Sequence, residues 1–112
     1  MDDHRYVQIV TTTATREDAE RIARALVERR LAACVQIDGP IVSHYRWQGA
    51  VEAGSEWRCA IKTRAALFDT VAAAIRELHP YEVPEIVALP IVDGSPEYFR
   101  WIAESTAGGP VA

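Results

Sequence analysis

The stretch Ile41–Thr63, IVSHYRWQGAVEAGSEWRCAIKT, decides the fold. Ile41, Ser43, Tyr45 and Trp47 alternate with Val42, His44 and Arg46, the period-two pattern of a strand. Gln48-Gly49 is a turn, and Val51–Thr63 returns as a second strand with Trp57, Cys59 and Ile61 on one face. Upstream, the first of these strands reaches back to Ala32, interrupted at Gly39-Pro40. A bend or bulge is expected there, because proline donates no ladder bond. A hairpin running from Ala32 to Thr63 is long for a small domain, where strands of about five or six residues are usual. Its tip, carrying Tyr45 and Trp47, cannot bury both faces at home. The hairpin is therefore expected to be an arm that packs on another subunit.

The flanks supply the remaining elements. Arg5–Thr13 is β-branched and aromatic, which suits a strand. Thr15-Arg16-Glu17-Asp18 has the form of a capping box, after which Ala19, Ile22, Ala23 and Leu26 make one apolar helical stripe. Glu17–Arg21 and Glu20–Arg24 are the expected i,i+4 pairs on its outer face. Arg64–Leu78 is a second helix, with Phe68, Val71, Ile75 and Leu78 in register, and it must end near His79 because Pro80 disfavours a helical predecessor. Pro84–Leu89 is expected to be a fourth strand. Asp93-Gly94 then turns the chain, and Ser95 and Pro96 open a last helix whose apolar face carries Tyr98, Trp101 and Ile102. The order β-α-β-β-α-β plus a short helix is the split βαβ, ferredoxin-like pattern, an α+β fold with an antiparallel sheet. Right-handed crossovers put both long helices on one face. The other face needs a cover, for which the hairpins of neighbouring subunits are the expected source.

Length and composition narrow the function classes. At 112 residues, one domain spanning 1–112 is expected, with a loose tail from about residue 106. The 49% apolar content, with three Trp and four Tyr, is high for a chain of this size and points to oligomerisation. A formal net charge of −4 argues against nucleic acid as a partner, since phosphate binding needs a concentrated basic footprint. Lys62 is the only lysine among twelve basic residues, and most of the arginines alternate with acids on the helices as a solvated face. The acidic start MDDHRYVQIV is too short in its apolar run for a signal peptide, and no segment approaches the roughly 18 apolar residues of a membrane span. Cys34 and Cys59 lack C-x-x-C spacing, so reduced thiols in a cytoplasmic protein are expected.

REDAERIARALVERRLAACV, SHYRWQGAVE, AIKT and HPYEVPEIVALPI, followed by Tyr98 and Trp101, closely resemble the CutA divalent-cation-tolerance family. The resemblance runs from about Val7 to Ile102. Its most specific parts are Tyr45, Trp47 and Gly49, and the HPY-x-x-PE of His79–Glu85. It implies a ferredoxin-like homotrimer, related in shape to PII-type signalling proteins, whose hairpins pair edge to edge around a threefold axis. It also implies a part in tolerance of copper and other divalent cations, held weakly at the subunit clefts, with no cofactor required for the fold.

In the copper-binding members, the ligands are a cysteine at the end of the first strand and two adjacent histidines before Pro-Tyr. The matching positions are Thr11, Leu78 and His79, of which His79 alone carries a ligand side chain. Losing two ligands should cost at least ~10²–10⁴ in affinity, so tight copper binding is not expected there. His79 is read first as a helix-terminal histidine bonding carbonyls, and second as a metal ligand or pocket group. Glu82 is expected to face solvent. Glu85 and Lys62 are candidates for the cleft between subunits, Glu85 either as a ligand or paired with an arginine or Lys62. Tyr45 and Trp47 are read as interface anchors. His4 is expected in a mobile terminus, and His44 on a strand face is a lesser candidate for cation contact. No nucleophile–base pair, phosphate loop or Cys/His metal spacing is present, so an enzyme is not expected. Two other roles remain open: a cleft for a small anionic metabolite, and a structural trimer presenting a surface to a protein partner.

Overall fold

The computed structural model describes residues 4–108. The elements run β1 (Tyr6–Thr13), α1 (Arg16–Glu28), β2 (Cys34–Trp47), β3 (Ala50–Arg64), α2 (Phe68–Leu78), β4 (Val87–Pro90) and α3 (Pro96–Thr106), with a short 3₁₀ turn at Ala65–Leu67 before α2. The four strands form one antiparallel sheet in the order β2-β3-β1-β4. This is the expected ferredoxin-like arrangement, an α+β fold in which β1 sits between β3 and β4.

Local chemistry explains the element ends. Thr15 stands in extended geometry before α1, and its hydroxyl accepts from the Asp18 backbone N–H at 3.1 Å. Ser95 does the same for Tyr98 at 3.2 Å, with Pro96 in the first turn of α3. The hairpin turn closes at Gln48-Gly49, with Trp47 opposite Ala50. Both turn residues have positive φ, 49° and 82°, as a two-residue I′ turn requires. At Gly39-Pro40, which is cis, the β2–β3 register shifts between Asp38 and Ile41. Gly39 is required there, since a Cβ would meet the Trp57 ring at 2.8 Å.

The core lies between α1, α2 and one face of the sheet. Ile9, Ile22, Leu26, Ile61, Val71 and Ile75 are fully buried together, with Cys59 among them. The opposite face, which carries Tyr6, Gln8, Arg58 and Lys62 by strand alternation, is covered at one end by α3. Phe99 stacks on Tyr6 at 4.5 Å between ring centroids, and the Arg64 guanidinium donates to the Thr106 hydroxyl and carbonyl at 2.8 and 3.1 Å. Part of the cover expected from neighbouring subunits is thus supplied by the chain itself. Tyr98 and Trp101 of α3 nevertheless stay largely exposed, while Ile102 is buried.

Several expectations need correction. β4 begins at Val87, not Pro84, because pairing with β1 starts only at Val10↔Val87. Arg64 ends β3 instead of opening α2. On α1 the ion pairs that close are Arg16–Glu20 and Arg21–Asp18, both at 3.0 Å, in place of Glu17–Arg21 and Glu20–Arg24. Thr106, where the tail was expected to start, is buried and bonded to Arg64. The rest of the expected tail, 109–112, lies outside the described residues. His4 is half-buried.

Candidate functional site

His79 closes α2, with extended backbone and its own N–H donating to the Ile75 carbonyl at 2.8 Å. The ring turns inward and is only 7% exposed. Its Nε2 lies 2.7 Å from the Thr12 carbonyl oxygen, and its Nδ1 accepts the Tyr81 backbone N–H at 3.1 Å. A carbonyl only accepts and a backbone N–H only donates, so these partners place the ring proton on Nε2. The carbonyl that the ring bonds belongs to β1 and not to the end of α2.

Tyr81 follows two residues later and tilts against the His79 ring at 4.6 Å. Its hydroxyl donates to Glu56 Oε2 of β3 at 2.8 Å. Burial, and then the bond to Glu56, push the phenol well above its ordinary titration range. The segment between α2 and β4 is thus tied at His79 to β1 and at Tyr81 to the hairpin.

Between that segment and the hairpin lies a concavity of about 760 Å³. Glu56, Glu82 and Glu85 line it together with the exposed His44, Tyr45 and Trp47. The predicted candidates Glu85, Tyr45 and Trp47 are brought together here, and Glu82 is exposed as expected. Glu85 also borders a second concavity on the open sheet face, beside Arg58. Arg58 binds Asp38 through two bonds, at 3.2 and 2.8 Å, and that carboxylate is the chief reason its guanidinium is held more basic than usual. Lys62 stands apart. It lies opposite Gln8 and Cys34, donates to the Gln36 side chain and lines neither concavity.

The matched ligand positions do not assemble a metal centre. Thr11 is fully buried on the face of β1 opposite Thr12, and its Oγ1 has no hydrogen-bond partner. Leu78 packs half-buried against the core. Among the described residues, no group of three or more His, Cys, Asp or Glu is placed to hold a metal ion. Cys34 and Cys59 are both free, and burial pushes the Cys59 thiol up to about 11. Glu56 and Tyr81 are the residues sequence reasoning missed. They lie 25 positions apart, and only the motif containing Tyr81 hinted at a role.

A sequence profile described as CutA1 divalent ion tolerance protein matches residues 7–105. The chain belongs to that family. It is 47% identical over 98 residues to the divalent-cation tolerance protein CutA of Thermus thermophilus, covering 88% of this chain and 95% of that one. It is 46% identical over 88 residues to mouse protein CutA, covering 79% of this chain but only half of the mouse protein. Among solved structures, CutA1 from Oryza sativa superposes with a TM-score of 0.90 at 35% identity, covering 94% of this chain and 96% of that one. A CutA described as periplasmic, from Archaeoglobus fulgidus, gives 0.88 at 40% identity, covering 90% and 98%. No helix among the described residues is long and apolar enough to cross a membrane.

Proposed function

We propose that the chain serves divalent-cation tolerance as a non-catalytic homotrimer, meeting cations such as copper weakly and reversibly at clefts beside its hairpin arms. The hairpin carries this reading. β1 ends against Trp57, yet β2 and β3 continue from Ile41↔Glu56 to Trp47↔Ala50 as a ribbon of two strands. Val42 and Val51 on that ribbon are 69% and 71% exposed, and Tyr45 and Trp47 also face solvent. A lone two-stranded ribbon is marginal in water, so copies of the chain packed along it are the natural source of its stability. The carboxylates of Glu56, Glu82 and Glu85 come from two segments and border one concavity without a rigid ligand set, which suits loose contact with hard cations through oxygen. The two free thiols support a cytoplasmic setting.

A second reading rests on the same concavity. Its volume of about 760 Å³ falls within the range of small-molecule pockets, and Tyr45, Trp47 and Arg46 offer rings and one cation to an anionic metabolite. The discriminating experiment complements a deletion strain under copper stress with the wild-type chain and with Glu82→Gln/Glu85→Gln. The wild type should restore growth and the double variant should restore less while assembling normally. Failure of the wild type would overturn the cation reading, and equal restoration by both would move the contact away from these carboxylates.

A further inference from the structure

We propose that His79 is a positioning residue and not a metal ligand: both of its ring nitrogens are engaged, and the ring holds Tyr81 on Glu56. Three observations carry this.

The first is the saturation of the ring. An imidazole ligates through an unprotonated nitrogen with a free lone pair. Here Nε2 carries its proton toward the Thr12 carbonyl, and the Nδ1 lone pair accepts the Tyr81 N–H. A metal at Nε2 must break the buried bond to the Thr12 carbonyl, and a metal at Nδ1 must break the part-buried bond from the Tyr81 N–H.

The second is the donor set at the other matched positions. Thr11 offers one neutral hydroxyl, and Leu78 offers an alkyl group packed on the core. The Thr11 Oγ1 is sealed from solvent with no partner at all. A neutral hydroxyl, an alkyl group and an imidazole with both nitrogens engaged do not make a soft-metal donor set.

The third is what the ring joins. Through its backbone N–H, Nε2 and Nδ1, His79 touches Ile75 of α2, Thr12 of β1 and Tyr81 of the following segment. The ring of Tyr81 lies against it, and the Tyr81 hydroxyl reaches Glu56 on β3. One side chain thus fixes the wall of the concavity that carries Glu82 and Glu85. The inference is independent of the cation reading above, because a cation held by those carboxylates leaves the His79 nitrogens as they are.

The test is a long-range ¹H–¹⁵N NMR spectrum of the full chain with ¹⁵N-labelled histidine at neutral pH. It is recorded before and after adding zinc(II), or silver(I) as a diamagnetic stand-in for copper(I). The expected result is an Nε2–H pattern for His79 with neither nitrogen moving on metal addition. His44 serves as the exposed internal control, and shifts confined to it support the proposal. An Nδ1–H pattern, or movement of either His79 nitrogen at one equivalent of metal, would overturn it. Positioning is read separately by ultraviolet titration of tyrosine in His79→Ala and His79→Gln. One additional tyrosine should ionise in the ordinary range in His79→Ala, with partial recovery in His79→Gln, whose amide can still reach the Thr12 carbonyl. An unchanged tyrosine titration in a folded His79→Ala protein would refute the positioning role, and the wild-type spectrum decides the ligand question whether or not the variants fold.

Discussion

Replacing Thr11 by valine should stabilise the protein, which is the opposite of the usual effect of a buried substitution. Thr11 sits on β1, an inner strand of the sheet, opposite Cys59, fully enclosed, and its Oγ1 finds no donor or acceptor. Burying a hydroxyl without a partner costs about 1–3 kcal/mol in mutational series. Valine keeps the β-branched shape, removes that cost and adds a buried methyl in its place. The expected gain is ~1–2 kcal/mol, a rise of roughly 4–8 °C in Tm for a domain of this size. Thr63 is the matched control. Its hydroxyl is equally buried but donates to the Leu31 carbonyl at 2.7 Å, so Thr63→Val strands that carbonyl and should lose ~1–3 kcal/mol. Guanidinium denaturation of wild type and both variants, at one fixed protein concentration, reports the two changes as shifts in midpoint with unchanged slope. If Thr11→Val is destabilised by as much as Thr63→Val, the Thr11 hydroxyl has a partner in solution. The account of a closed, dry site at this position would then fail.

Other substitutions test the remaining contacts. Gly39→Ala drives a Cβ to within 2.8 Å of the Trp57 ring and 3.1 Å of the Glu56 carbonyl, so a loss of ~1–3 kcal/mol with altered tryptophan fluorescence is expected. Wild-type stability would exclude the close packing of bulge and ring. Burial lifts the Cys59 thiol from 9.0 to about 11. Above pH 9 the unfolded chain loses that proton while the folded one keeps it, so stability is full below pH 9 and declines as pH rises toward 11, by up to ~2–3 kcal/mol. Denaturation midpoints against pH should fall less steeply in Cys59→Val, and identical slopes would rule the thiol out. Arg64→Met removes both bonds to Thr106 and should raise hydrogen exchange in the last turn of α3, whereas unchanged protection would show that packing alone holds the helix end.

Legibility in the sequence followed range. Thr15, Ser95-Pro96 and Gln48-Gly49 act on neighbours within a few residues, and each does in the structure what its chemistry predicts. The stripes through Ile22–Leu26 and Val71–Ile75 are equally local, and both are buried as read. Failure begins where a distant partner decides. Pro84, Glu85 and Ile86 have strand character, but β1 pairs only with Val87 onward, and no local signal marks that limit. Arg21 chose Asp18 over Glu17, two partners that spacing alone scarcely separates. The environment of His79 depends on Thr12, 67 residues away, and that of Tyr81 on Glu56, so the saturation of the ring was invisible from the motif itself. Lys62 drew notice as the single lysine, yet its strand position carries it away from the concavity that Glu85 borders. The resemblance singled out His79–Glu85 without revealing how its side chains are bonded.

Native mass spectrometry of the tag-free protein, before and after a slight excess of copper(II), tests the central claim most directly. The account predicts a mass near three times 12.4 kDa, with no copper retained after buffer exchange. A monomer would remove the arm as an assembly device. One tightly retained copper per subunit would contradict both the weak cation contact and the closed position at His79.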